Sequence, residues 1–263
     1  MRIAVLSDIH SNVFALEAVL IDMAKRSPDL VLNLGDILYG PIAPRATYDL
    51  LQQQDIINIR GNQDRQIYEA SPAEIEINPT MQFILQDLDE AGVEWLKSLP
   101  FDKQMNGEIY LCHGSPGDDM DYLLENVEKG FPCLRSENEI ITLLNNQSSK
   151  LILCGHTHVP RTVALESGQL IVNPGSVGLP AYSDDFPVKH SMENFSPHAA
   201  YAIIEKNKSG WTVQHMKIPY DHEKAAGCAK MRHRDDWAHF LTTGRGLRQP
   251  IIELYPRVQK KFG

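Results

Sequence analysis

Five short apolar runs in this chain each stop at a turn that carries an aspartate, an asparagine or a histidine. Ile3 to Leu6 leads into Asp8 and His10, Leu30 to Leu34 into Gly35-Asp36, and Ile56 to Ile59 into Gly61-Asn62. Ile109 to Cys112 leads into His113-Gly114, and Leu151 to Cys154 into Gly155-His156-Thr157-His158. Runs of this length, bounded by turn signals, read as buried strands. In open α/β sheets, ligands bind beyond the carboxyl ends of the strands. Side chains that are far apart in sequence are therefore predicted to converge along one edge.

The segments between the runs support this layout. Asn12 is placed to cap a helix in which Phe14, Leu16, Val19, Leu20 and Met23 recur at helical spacing, and Pro28 lies just past its end. A second helix is predicted from about Pro44 to Gln54, which gives β-α-β-α-β, the pattern of a layered α/β sheet. Helices are also expected at Thr80 to Glu90 and Val93 to Leu99, with Gly92 and Pro100 as punctuation, and at Glu137 to Leu144. Arg161 to Val172 reads as a hairpin turning at Ser167-Gly168, and Ala199 to Glu205 with Trp211 to Ile218 as another. Tyr182 to Pro197 reads as a polar loop, and Asp221 to Gly244 as a helical tail.

The donors on the five turns are carboxylate, amide and imidazole, a set that suits Mn, Fe, Zn, Ni or Co without choosing among them. No thiolate belongs to it, which disfavours a closed structural zinc site. Glycines beside the donors relieve backbone crowding. Taken singly, Asp8 and Asp36 would pass for helix caps, and His156 and His158 for turn histidines. The order and completeness of the set argue otherwise.

The ordered motifs D-x-H, G-D, G-N-x-[DE], H-G and G-H-x-H resemble those of calcineurin-like metallophosphoesterases. The likeness runs from Met1 to about Ile218. The stretches HGSPGDDMDYLL, VNPGSVGLP and YDHEKAA are similar to the short bacterial and archaeal phosphodiesterase-like branch. The resemblance implies a four-layer α/β/β/α sandwich of two mixed sheets. It divides the chain into a catalytic domain at 1–218 and a C-terminal helical extension at 219–263 packed on that domain.

The resemblance also implies a site for two divalent transition-metal ions, with manganese the expected activator. Asp8, His10 and His158 would bind one ion, and Asn62, His113 and His156 the other, with Asp36 bridging. Asp36, Asn62 and His113 would serve catalysis through a metal-bridging hydroxide. Asn62, Arg65 and Tyr39 would contact substrate. Many members carry histidine after the asparagine as a general acid, whereas this chain has Gln63, which cannot supply a proton near neutral pH. The expectation is therefore hydrolysis of phosphodiesters or nucleotide phosphoanhydrides, with a phosphomonoesterase as the alternative. A non-catalytic scaffold, as in the retromer subunit that resembles the family, fits less well because no ligand position is missing.

Composition sets the outer limits. The chain has 263 residues, 43% apolar and 22% charged, with a formal net charge of -9. There is no basic run to suit a nucleic-acid backbone. Acidity does not exclude a phosphate substrate, because bound dications dominate the local field. No apolar stretch is long enough to span a membrane, and the N-terminus reads as a first strand rather than a signal peptide. Cys112, Cys133, Cys154 and Cys228 lack metal or redox spacing and read as free thiols, which suggests a cytoplasmic location. Oligomeric state is left open, a homo-oligomer included.

Overall fold

The computed structural model describes residues 1–247. The end of the expected C-terminal extension, 248–263, lies outside the described residues.

The first part of the chain runs β1 (Arg2–Leu6), α1 (Val13–Arg26), β2 (Leu30–Asn33), α2 (Pro44–Leu51) and β3 (Ile57–Asn58). Four helices follow: α3 (Asn62–Glu69), α4 (Pro72–Ile77), α5 (Pro79–Asp87) and α6 (Glu90–Ser98). Next come β4 (Lys103–Met105), β5 (Ile109–Leu111), β6 (Glu125–Asn126), β7 (Cys133–Leu134), α7 (Glu137–Leu144) and β8 (Leu151–Leu153). Then β9 (Arg161–Ala164), β10 (Leu170–Asn173), β11 (Ala181–Asp184), β12 (His190–Glu193), β13 (Ala199–Asn207) and β14 (Gly210–Ile218) lead to α8 (His222–Met231) and α9 (Asp235–Thr243).

Two mixed five-stranded sheets result, in the orders β14-β13-β1-β2-β3 and β4-β5-β8-β10-β9. Side chains alternate across each strand. Ile3 and Val5 of β1 join Leu32, Leu111, Leu153 and Val172 in the core between the sheets. Ala4 and Leu6, on the other face, pack with Leu16, Val19 and Ile84 from the helices. Across the second sheet, Tyr110, Ile152, Cys112 and Cys154 pack with Ile140 and Leu144 of α7. The layers are thus helix, sheet, sheet, helix, as expected. Fully burying one such aliphatic side chain is worth roughly 1.5–3 kcal/mol.

Three details differ from the sequence reading. Gly92 lies inside α6, where a Cβ would stand 2.4 Å from Cδ1 of Leu88 and its N–H caps onto Asp89. The segment read as a polar loop contains the β11–β12 hairpin, anchored by buried Ala181, His190 and Met192. Asn62 itself opens a helix, α3, that polar composition had hidden.

The C-terminal helices α8 and α9 close the sheet edge where the five turns lie. Ala225, Ala226, Trp237 and Phe240 pack with Ile42 and Leu179. Among the described residues no helix is long and apolar enough to cross a membrane, and all four cysteines are free.

Candidate metal centre

The parallel strands β1, β2 and β3 end side by side, as do β5 and β8, so their turns meet at one edge. The backbones there are tightly interlocked. Asp8 N donates to the Gly35 carbonyl, His10 N to that of Asp36, and Gly155 N to that of His113. A Cβ at Gly61 would stand 2.1 Å from Oδ1 of Asp36, so only glycine lets these two turns touch. Asp8, His10, Asp36, His156 and His158 all adopt left-handed backbone, with φ of 55°, 49°, 54°, 68° and 61°. Each such non-glycine residue costs on the order of 1–3 kcal/mol, and such strain gathers at functional sites.

Two clusters of donors form. One is Asp8, His10 and His158, and the other Asp36, His113 and His156; within each, one ligand atom per residue lies within 4.8 Å of the others. Nε2 of His158 is 3.4 Å from Oδ1 of Asp8. Oδ2 of Asp36 is 3.5 Å from Nε2 of His113 and 3.9 Å from Nε2 of His10, so a single oxygen reaches both clusters. Oδ1 of Asn62 is 3.0 Å from Nε2 of His113.

The imidazoles are aimed by the backbone. Nδ1 donates to the Tyr39 carbonyl from His10, to that of Leu34 from His113, and to that of Leu179 from His158. This fixes Nε2 as the acceptor in each neutral ring. His156 is turned round: its Nε2 donates to the Met120 carbonyl at 3.1 Å, which leaves Nδ1 for the site.

The residues fit cations. Nε2 of His10 and Nε2 of His158 face each other at 3.0 Å, lone pair to lone pair once both Nδ1 atoms are donors. Both carboxylate oxygens of Asp8 are buried without a hydrogen-bond donor, an arrangement that is costly unless a positive charge sits against them. Burial, followed by the closeness of the His158 ring, lowers His10 to about 4, and burial with His113 lowers His156 to about 4. Both rings are then neutral and ligand-competent near neutral pH. Burial also opposes a charge on His113, but Asp36 outweighs it and raises that ring to about 10.

A further set of residues holds the donors. Asp64 accepts from the backbone N–H groups of Gly61, Ile37 and Leu38, tying the second turn to the third. Asn173 donates to the Gly155 carbonyl and to Thr157 Oγ1, and Ser176 Oγ donates to the Asp8 carbonyl, so the NPGS turn braces two donor turns. Buried Asp119 accepts from Arg60 and, bidentately, from Arg65. Although burial disfavours its charge, the Arg65 hydrogen bonds hold its carboxyl below the usual range. Asp119 immediately precedes Met120, whose carbonyl orients His156.

Arg65 is therefore placed differently from the sequence expectation. Its guanidinium is occupied by Asp119 and Glu69, and it lines a separate groove rather than the metal cavity. Tyr39 does line the cavity, as do Asn62 and Gln63. Asn173, Gly175 and Ser176 read in the sequence as a tight turn lining the pocket, and the turn is found bracing the donors; Asp119 and the aromatic walls were not picked out, and the run HGSPGDDMDYLL was the available signal for Asp119.

The cavity encloses about 450 Å³. Its walls come from Tyr122, Tyr182, Phe186, Arg135, Arg234 and Trp237. Three of these rings pack on site imidazoles: Tyr182 on His158, Tyr122 on His156 and Trp237 edge-on to His10.

Residues 1–192 match the calcineurin-like phosphoesterase superfamily domain. Over 239 residues the chain is 25% identical to an uncharacterized protein of Methanocaldococcus jannaschii, covering 85% of this chain and 89% of that relative. The crystal structure of a metallophosphoesterase from Sphaerobacter thermophilus is similar with a TM-score of 0.72 at 24% identity, covering 93% of this chain and 100% of that one. The chain belongs to the calcineurin-like phosphoesterase superfamily and is a metal-dependent phosphoric ester hydrolase.

Proposed function

We propose that the protein hydrolyses phosphodiesters or nucleotide phosphoanhydrides at a two-metal site. The observation that carries the reading is Oδ2 of Asp36, which lies within 4 Å of imidazole nitrogens from both donor clusters. On this reading Asp8, His10 and His158 hold one divalent ion, Asn62, His113 and His156 hold the other, and Asp36 joins them. When bound, two such ions supply a water of lowered pKa and positive charge for the phosphoryl oxygens.

The chain's own groups do the rest. The amide of Asn62 can turn its oxygen to the ion and its N–H to a phosphoryl oxygen. Gln63 lines the cavity with its Oε1 buried and unpaired. Its amide can donate a hydrogen bond to a leaving oxygen but has no proton to give up. The attacking water would lose one proton to solvent and its oxygen would bond to phosphorus, while the departing oxygen would keep the electron pair of the broken P–O bond and leave as an anion. General-acid help is typically worth ~10²–10⁴-fold, so its absence falls hardest on poorly leaving alkoxides. Aryl esters and anhydrides, whose leaving groups are already acidic, lose least.

The test is a manganese-supplemented panel of bis(p-nitrophenyl) phosphate, diadenosine polyphosphates and phosphoserine. The first two are expected to turn over fastest. Faster turnover of phosphoserine overturns the substrate class in favour of a phosphomonoesterase.

A further inference from the structure

The walls of the cavity carry one feature that the metal chemistry does not use. Phe186, at the tip of the β11–β12 hairpin, lines the cavity yet is 75% exposed. Its backbone N–H is tied to Asp184 Oδ1 at 3.0 Å, so the tip is shaped by its own turn. Pro187 and Met120, the latter 46% exposed, line the same cavity. The floor below consists of carboxylate, amide and imidazole. An apolar lip over a polar floor offers nothing to an inorganic phosphate group, but it offers a face to an organic one. The ring is not needed for the fold, because the hairpin is anchored from its other side chains by Ala181, His190 and Met192.

Gln63 points the same way independently, since a site without a general acid favours leaving groups that are acidic already. Both observations rest on the phosphoesterase reading above, and together they name one chemistry. We infer that Phe186 is a specificity residue that stacks on an aromatic ring, aryl or nucleobase, carried by the phosphate ester. Stacking of this kind tolerates different rings, because each has a π-face.

Competitive inhibition tests the inference through binding. The manganese-loaded enzyme hydrolyses one common substrate while inorganic phosphate, phenyl phosphate and adenosine monophosphate are titrated as inhibitors. In Phe186→Ala, the inhibition constants of the two ring-bearing compounds rise about tenfold relative to that of phosphate, and Phe186→Trp restores the wild-type ratio. A rise for phenyl phosphate alone assigns the lip to aryl esters, and a rise for adenosine monophosphate alone assigns it to nucleotides. Unchanged ratios for both compounds overturn the inference and leave the phosphoesterase reading standing. If instead the wild-type enzyme, loaded with manganese, hydrolyses no phosphoester, the phosphoesterase reading itself falls.

Discussion

The floor and the walls of the cavity are built on opposite plans. The floor is made of turns at strand ends, each locked to its neighbour by backbone hydrogen bonds and most of its donors buried. The walls come mainly from the 115–124 loop, the β11–β12 hairpin and α9, with Arg135 and Arg234 beside them, and they mix arginines and buried aromatics with exposed apolar groups. The floor can hold cations in one geometry because its backbone cannot yield. The walls hang on fewer interlocking backbone bonds and end in side chains such as Phe186 that are exposed at the rim. On the proposed reading, reaction type belongs to one region and selectivity to the other, and mutations should separate them.

The largest effect is expected on the floor. Asp36→Asn should cost ~10³-fold or more in turnover, with an unchanged far-UV circular dichroism spectrum; retention of activity would mean that no charge at this oxygen is needed. Asp119→Asn tests the support below the walls. It should weaken manganese binding at the cluster containing His156 by ~10–100-fold, as read by metal titration, and an unchanged affinity would show that the 114–121 loop holds His156 without its arginine clamp. Gln63→His, at the boundary between the regions, should raise turnover of poorly leaving alkyl esters by roughly tenfold. No gain there would mean that another group already delivers the proton.

The smallest effect lies outside both regions. Asp22 accepts from Arg26 and from the Tyr201 hydroxyl at 2.6 Å each, and the Arg26 hydrogen bond lowers its pKa despite partial burial. A depressed carboxyl stabilises the fold above its unfolded pKa, and that contribution is lost as pH falls through the folded value. Asp22→Asn should therefore cost about 1 kcal/mol at neutral pH. The gap from wild type in chemical denaturation should close as the medium is acidified below the aspartate range, with activity untouched.

The same division decides what the sequence could tell. The floor was legible because each apolar run ends on its donor, and β1, β5 and β8, buried on both faces almost throughout, show in the sequence as unbroken apolar runs. Helix α1 was legible too: Asn12 accepts from Ala15 N as a cap should. The β11–β12 hairpin was not, since its anchors His190 and Met192 are interleaved with Ser191 and Glu193 and its turn carries no Asn-Gly or Gly-Asn signal. Helix α3 was missed because Asn62, Gln63, Asp64 and Arg65 present no apolar face, and Asp64 is buried by hydrogen bonds rather than by hydrophobicity. Arg65 looked like a phosphate contact because nothing local in sequence announces its pairing with Asp119, 54 residues away.

The β1 strand lies between β2 and β13, with Arg2 opposite Glu205. Until the ribosome has delivered the residues of β13, the first strand has one open edge, although Asp8 emerged near the start of synthesis. Its partner donor His158 also arrives late. A nascent chain therefore carries the beginnings of the centre long before the last donors exist, and loading with metal has to follow translation of most of the protein.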